Sequence, residues 1–487
     1  MSSSAASLTH KEPKKGYEAF GSFHTEAPDA LFAGAAAAFP LPTGAKFPAL
    51  SSTRLVLKQL ESAGNATANR AQFTVDTEAW TYLNHGAFGG ATKFASQVAS
   101  SWREVSDRQP LLFNDRLLFP YIVQAIQALA KFANVHDAQE LVLLPNATSG
   151  LHAVLQSVVH SAVNDDGNAR DPIVFCFSTR YGAVRKMLQA IGDEMGSRSQ
   201  QLRIHEEPLS LEESYDDEKV QHKLRLTLEK LQQEENGRCV LVVVDHITSN
   251  TGVKFPVEEI VALCHAYNVP VLVDGAHGLL NLPLDITAIN ADYYVGNCHK
   301  WFCSPKGAGF LHLNRTNGLD VTRRIPISPR IVSHGFFDGF QSAFMWIGLQ
   351  DYSSWLSLPK CIEFWEYHGV EECREYMHSL AQDATELLYT AWEMPEELAQ
   401  AKIFPVEKRH AMRLVKLPPG QVFGIDTSQS TKNTSMDAKF IQDTLHHEHH
   451  IEVPIKCVDE TLYVRISAHL YNTLDDYKQL AKAIMQK

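Results

Sequence analysis

From about residue 85 the apolar positions alternate between two spacings. Residues 121–133 place Ile122, Ile126, Leu129 and Ala130 on one helical face, and residues 141–144 form a short apolar run typical of a buried strand. A polar turn follows, and a helix is expected to begin near Thr148. A strand over 173–177 then precedes a helix carrying Val184, Met187, Leu188 and Ile191 on one face. Residues 216–234 repeat the helical spacing through Val220, Leu224, Leu228 and Leu231. The run 240–244 is continuously apolar, as only a strand covered on both faces is. The helix at 256–267 uses Val257, Ile260, Val261 and Cys264, and Pro270 stops it being extended. Strands are expected at 271–273, 293–295 and 309–313. This alternation predicts a mostly parallel sheet with helices on both faces, whose ligand lies at the carboxyl ends of the strands.

Beyond residue 350 the pattern loosens, then ends in a strand at 462–467 and a helix at 474–484, the mark of a smaller α+β domain. The expected division is an N-terminal extension over 1–52, an arm over 53–84, a large domain over 85–350 and a small domain over 351–487. The first fifty residues are Ser-rich, then Ala-rich, with scattered acids, and read as a loosely ordered extension rather than a targeting peptide. A chain of 487 residues suits two domains, and 45% hydrophobic with 21% charged residues is ordinary globular composition. The net charge of −12 without a basic run speaks against nucleic acid or an anionic membrane as partner. Eight scattered cysteines without a CxxC pair fit a reduced, cytoplasmic chain, and no apolar run reaches the ~20 residues that span a bilayer.

Three strand ends carry candidate chemistry. Asp274 closes the strand Val-Leu-Val, where a desolvated carboxylate needs a cationic partner such as a protonated pyridine nitrogen. Lys300 follows another apolar strand and is hemmed in by Trp301 and Phe302, where burial lowers the pKa of a Schiff-base lysine. Asn-Ala-Thr-Ser-Gly at 146–150 sits between strand and helix, where backbone N–H groups with the Thr148 and Ser149 hydroxyls could face a phosphate. Each alone has a plainer reading: a capping Asp, a surface Lys and an ordinary helix N-cap. Their weight lies in occurring together.

The ordered segments 82–89 (YLNHGAFG), 146–149 (NATS), 245–249 (DHITS), 273–277 (VDGAH), 291–302 (ADYYVGNCHKWF) and 463–472 (YVRISAHLYN) carry a resemblance. Over roughly residues 80–487 the chain resembles class V aminotransferase-like, fold-type I enzymes that use pyridoxal 5'-phosphate (PLP). It looks closest to the isopenicillin N epimerase-like branch, which includes L-cysteine desulfhydrases and sulfoxide lyases. The resemblance implies that Lys300 holds the cofactor covalently and then shuttles the substrate Cα proton. Asp274 would pair with the pyridine nitrogen, His277 would lie near the ring's phenolic oxygen, and Tyr181 would stack on the ring. Thr148, Asn297 and His299 would hold the phosphate, and Ser249 would contact the ring oxygen. Arg465 would grip the substrate carboxylate as a bidentate fork, and the Asn84–His85 turn would line the substrate mouth. A homodimer with sites at the subunit interface is also implied.

Two departures stand out. Relatives usually carry Gly-Thr-Arg-Asp where this chain reads Gly-Leu-Gln-Asp at 348–351, so Leu349 removes a hydroxyl expected to reach the partner's phosphate. The nearest thiol before Arg465 is Cys457, in the wrong motif for a persulfide-forming desulfurase. The leading expectation is therefore a PLP-dependent carbon–sulfur β-lyase acting on L-cysteine, or on a cysteine conjugate or sulfoxide, and yielding pyruvate and ammonia. Epimerase and aminotransferase readings share its early chemistry, and an inactive binding or scaffold relative is the alternative of another class. The residues named imply no metal. His446, His447, His449 and His450 miss the HExxH spacing because Ile451 stands four after His447, and His246 reads as a packed histidine at a strand end. Asp285 and Asp292 read as loop and strand-edge carboxylates. GxGxxG, GxxxxGK[ST] and GxSxG are absent.

Overall fold

The computed structural model describes residues 28–33, 41–42, 44–57, 66–163, 170–196, 200–316, 325–336, 339–428 and 430–486. The expected N-terminal extension falls largely outside the described residues. Of its described part, the Lys46 carbonyl accepts from Ser101 Oγ and the Gly44 carbonyl from Arg108, so this stretch lies against helix α1 (Lys93–Arg108).

Seven strands build the main sheet: β1 (Leu141–Leu144), β2 (Asp171–Phe177), β3 (Arg203–Glu207), β4 (Gly237–Asp245), β5 (Val271–Gly275), β6 (Tyr293–Asn297) and β7 (Gly309–Leu313). Their spatial order is β1-β7-β6-β5-β4-β2-β3. Strands β6, β5, β4, β2 and β3 run parallel, while β7 is antiparallel to both of its neighbours. Side-chain alternation along each strand feeds two separate cores. Leu241 and Val243 of β4 face α3 (Ala147–Val163) and α4 (Gly182–Met195). Val242 and Val244 face the opposite core with α2 (Leu118–Phe132), α5 (Asp217–Gln232) and α6 (Val257–Ala266). Burial on both faces is why these strands read as unbroken apolar runs.

A second domain centres on an antiparallel sheet of β8 (Met412–Lys416), β9 (Ile455–Val458) and β10 (Thr461–Ser467), in the order β9-β10-β8. It is backed by α8 (Val370–Ala391), α9 (Ser435–His449) and α10 (Leu474–Ile484). Helix α7 (Leu358–His368), just beyond the expected boundary at 350, packs on α1 and α2 of the large domain. A short parallel pairing of Thr81–Tyr82 with Ile451–Glu452 ties the arm to the second domain and sets Asn84 beside β10. Among the described residues, no helix is long and apolar enough to cross a membrane.

Candidate active site

The carboxyl ends of β4, β5 and β6 and the N-termini of α3 and α4 open into a cavity of about 720 Å³, closed on the far side by β9 and β10. Asp274, His277, Asn297, His299, Lys300, Thr148, Tyr181, Ser249, Asn84 and Arg465 all line it. Residues from both domains meet here because the parallel strands end on one side, where the second domain covers them.

Lys300 follows β6 with its amine 3.3 Å from His277 Nε2. Burial pulls its pKa down to about 8, against the opposing pull of the Asp274 carboxylate. Trp301 donates its indole N–H to His277 Nδ1 at 3.2 Å. Burial, then the neighbouring Lys300 and Arg465 charges, keeps this imidazole far below its usual pKa and therefore neutral. With Nδ1 accepting, the ring proton sits on Nε2, the nitrogen facing Lys300.

Asp274 accepts the Ala276 N–H at 3.0 Å, and burial raises its pKa. In register beside it on β4 stands Asp245, a second buried carboxylate that the sequence reading left without a role. Burial and then the Asp274 charge raise the Asp245 pKa well above normal, while the Tyr181 backbone N–H works in the other direction. Both parallel strands end in an apolar run followed by Asp, at 242–245 and 271–274, and that shared ending is the signal that could have revealed the pair.

Arg465 projects from β10 and is 2% exposed. It donates to the Ser249 carbonyl and, at 3.2 Å, to Asn84 Oδ1, while its Nε has no hydrogen-bond partner among the described residues. Burial lowers its pKa to about 10. A buried guanidinium held by two neutral acceptors, with no carboxylate beside it among the described residues, is poised for an anion from outside.

The expected phosphate end needs correction at Ser149. Ser149 does not line the cavity: its N–H and Oγ both turn to Asn146 Oδ1, at 2.9 and 3.1 Å. Asn297 Oδ1 accepts the Ala147 N–H at 2.9 Å, so this side chain orients the first turn of α3. Thr148 remains at the cavity edge, together with Lys306 and Gly307, which the sequence reading did not single out. Gly150 lets α3 sit this close to the sheet, since a Cβ there would lie 2.8 Å from both Leu144 and Val295 side-chain atoms. His299 uses Nδ1 toward the Ala308 carbonyl at 2.8 Å.

His85 is the second correction. It does not line the substrate mouth but is fully buried behind Lys300, with Nε2 3.1 Å from the Lys300 carbonyl and Nδ1 2.8 Å from the Tyr471 hydroxyl. Burial lowers its pKa to about 4, and its ring stacks on His469 at 3.9 Å. His469 Nε2 in turn meets the Trp301 carbonyl at 3.3 Å. The two imidazoles thus hold the Lys300–Trp301 backbone in place. Together with Cys303 they form the one metal-compatible grouping among the described residues, but both Nε2 atoms already face backbone carbonyls. The histidines ending α9 are engaged otherwise: His446 bonds Glu452 and stacks on Trp80, and His449 stacks on Phe423. His246 is a buried ring whose Nδ1 lies 3.1 Å from the Tyr294 hydroxyl. Asp285 caps a short helix through the Ala288 N–H, and Asp292 accepts the Val271 N–H at the start of β5.

The model of the aminotransferase class-V family matches residues 215–480, more than half of the chain. The chain belongs to the aminotransferase class-V family. It is 31% identical to the L-cysteine desulfhydrase of Arabidopsis thaliana, over 83% of this chain and 87% of that protein. It is 29% identical to the putative L-cysteine desulfhydrase 1 of Oryza sativa subsp. japonica, over 88% and 87%. The fold superposes on that of the cystine C-S lyase C-DES, solved with its product cysteine persulfide, with a TM-score of 0.62 and 20% identity over 83% of this chain and 97% of that one.

Membership of the class-V family supports PLP as cofactor, and the cavity suits it. Two adjacent carboxylates whose burial calls for a cation fit a protonated pyridine nitrogen. Lys300, His277 and Tyr181 stand in the same cavity wall, and Thr148 lies at the start of α3, where a phosphate is favoured. No cysteine is among the described residues lining the cavity, and the Cys457 thiol is turned to the Asn433 carbonyl at 3.2 Å.

Proposed function

We propose that this class-V family enzyme is a PLP-dependent cysteine desulfhydrase, a carbon–sulfur β-lyase that releases sulfide from L-cysteine, or a thiolate or sulfenate from its S-substituted or sulfoxide forms. The observation that carries the reading is the joint placement of an acceptor-poor buried Arg465, a lysine depressed to about 8 and a buried carboxylate pair around one cavity. Relatives named L-cysteine desulfhydrase across most of the chain support the sulfur chemistry.

The cofactor, when bound, supplies an electron sink for the charge that develops at the substrate Cα. Arg465 binds the substrate carboxylate through a guanidinium already oriented by Ser249 and Asn84. Lys300 Nζ accepts the Cα proton, and a pKa near 8 leaves a useful neutral fraction at physiological pH. His277 presents a neutral Nε2–H to the same space, held in that tautomer by Trp301. Asp274 and Asp245 hold positive charge at the inner end. As the Cα–H bond breaks, its electron pair moves to expel sulfur from Cβ as a thiolate. The resulting aminoacrylate, after release, takes up water and gives pyruvate and ammonia. A cavity wall without cysteine fits release of sulfur as sulfide rather than as a protein persulfide.

A homodimer is part of this reading. It rests on the family resemblance, and the 74% exposed Phe88 of the cavity lining is a side chain that a second copy would cover in such a dimer. Eight unpaired thiols favour a reducing compartment such as the cytoplasm. Nothing in the net charge favours nucleic acid. Incubation of the holoenzyme with L-cysteine tests the function: sulfide, pyruvate and ammonia in equal amounts are expected. Cα deuterium exchange without sulfide would assign an epimerase instead, and dependence on an added keto acid an aminotransferase.

A further inference from the structure

Lys306, at the Thr148 end of the cavity, and Lys456, beside Arg465, are cations that the chemistry above does not use. Lys456 of β9 lines the same wall as Arg465 of β10. The antiparallel register pairs Lys456 with Tyr463, and Arg465 lies two residues further along β10. Side chains two apart share a face, so Lys456 and Arg465 project from the same side of the sheet as diagonal neighbours. Two like charges there are unfavourable unless an anion joins them. Lys456 makes no ion pair among the described residues, and burial, then the Arg465 charge, lowers its pKa to about 8.

The one glutamate of this wall, Glu452, makes no ion pair with Lys456 or Arg465 among the described residues. Glu452 is occupied on both oxygens, by Asn84 Nδ2 at 3.2 Å and by His446 Nδ1 at 3.0 Å. Gln442 of α9 accepts the Ile455 N–H through Oε1 at 3.2 Å, which leaves its amide NH2 as a further donor. The substrate end of the cavity therefore offers two separate cationic positions and a neutral donor, with the Glu452 oxygens turned to Asn84 and His446. A single α-carboxylate satisfies only one of them.

We propose that Lys456, assisted by Gln442, receives a second anionic group carried on the sulfur substituent of the substrate, so that the enzyme prefers dianionic cysteine conjugates to neutral ones. This rests on the reading of Arg465 as the grip for the α-carboxylate. The ligand class is an amino acid with a carboxylate, sulfonate or comparable oxyanion a few bonds beyond sulfur. Lys456 is a specificity residue, and the bond-breaking steps remain those of Lys300.

Calorimetric titration of the holoenzyme with glutarate and with butyrate reads the site without any turnover. Glutarate is expected to bind at least ~10-fold more tightly, the value of one charge-assisted contact. Lys456→Met should collapse that ratio toward one, and Lys456→Arg should preserve it. In parallel, pyruvate release from S-carboxymethyl-L-cysteine is compared with that from the neutral S-carbamoylmethyl-L-cysteine. The wild type should favour the anionic conjugate by a similar factor in kcat/KM, and Lys456→Met should lose the preference. Equal binding of glutarate and butyrate by the wild type overturns the proposal, as does a Lys456→Met protein of unchanged melting temperature that keeps the ratio. If neither these conjugates nor L-cysteine yields pyruvate while the glutarate preference exists and depends on Lys456, the anion subsite stands and the β-lyase reading falls.

Discussion

Asp245 and Asp274 end neighbouring parallel strands in register, so two buried carboxylates stand side by side at the inner end of the cavity. Burial raises both pKa values, and for Asp245 the Asp274 charge raises it further. A carboxyl whose pKa is higher folded than unfolded binds more protons in the native state. Stability of the cofactor-free protein therefore falls as pH rises from about 4 through the raised values. Asp245→Asn removes one member of the pair. It should raise the melting temperature of the cofactor-free protein at pH 7 by about 1 °C per kcal/mol relieved, and flatten the pH dependence. Scanning calorimetry of the cofactor-free protein across pH 4–8 checks this, and an unchanged pH profile would count against repulsion between the two acids.

Lys300 should react as an amine of pKa about 8 rather than 10.5. The rate of PLP uptake by the cofactor-free protein, followed by absorbance, should climb with pH and level off just above 8. Since Asp274 favours the charged amine, Asp274→Asn should move this inflection to lower pH. An inflection near 10 in the wild type would mean that Lys300 is solvated.

Trp301→Phe keeps the ring's bulk but leaves His277 Nδ1 without its donor. An unsatisfied buried acceptor costs ~1–3 kcal/mol. Melting temperature should fall accordingly, and kcat should drop by roughly 3–10-fold with little change in KM, because the imidazole proton is no longer confined to Nε2. Steady-state kinetics with L-cysteine separate the two parameters, and a change confined to KM would assign Trp301 a packing role alone.

Arg465→Lys retains charge but loses the planar fork. KM for L-cysteine should rise by roughly 10–100-fold, the loss of one hydrogen bond to a charged group. Binding of L-alanine, which lacks the leaving group, gives the same comparison without turnover. Equal affinity in both proteins would place the carboxylate elsewhere.

Much of the sheet was legible because β1, β2, β4, β5 and β6 are buried on both faces, and that burial demands unbroken apolar runs. Strand β3, Arg-Ile-His-Glu-Glu, sits at the sheet edge with most of its side chains partly open to solvent, and it left no such signal. The reversed direction of β7 is equally silent, since an apolar run reads the same both ways. Helix α8 was hidden because its buried face mixes Cys373, Tyr376, Met377, Ala381, Gln382 and Thr385, a stripe that hydropathy alone does not outline. At the site, Lys300 and Asp274 were singled out from strand ends and Arg465 from the family resemblance, and all three line one cavity. The burial of His85 depends on Tyr471 and His469, nearly four hundred residues away, and no local pattern encodes that. Ser149 looked like a phosphate ligand because a capping serine and a phosphate-binding serine are the same residue type in the same place.

The central claim is that Lys300 is the lysine that holds the cofactor. Reduction of the holoenzyme with borohydride, followed by peptide mapping, tests it most directly. The account predicts a single phosphopyridoxyl-bearing peptide, with the modification on Lys300. Modification of Lys306 or Lys456 instead, or a cofactor washed away without any labelled lysine, would contradict it.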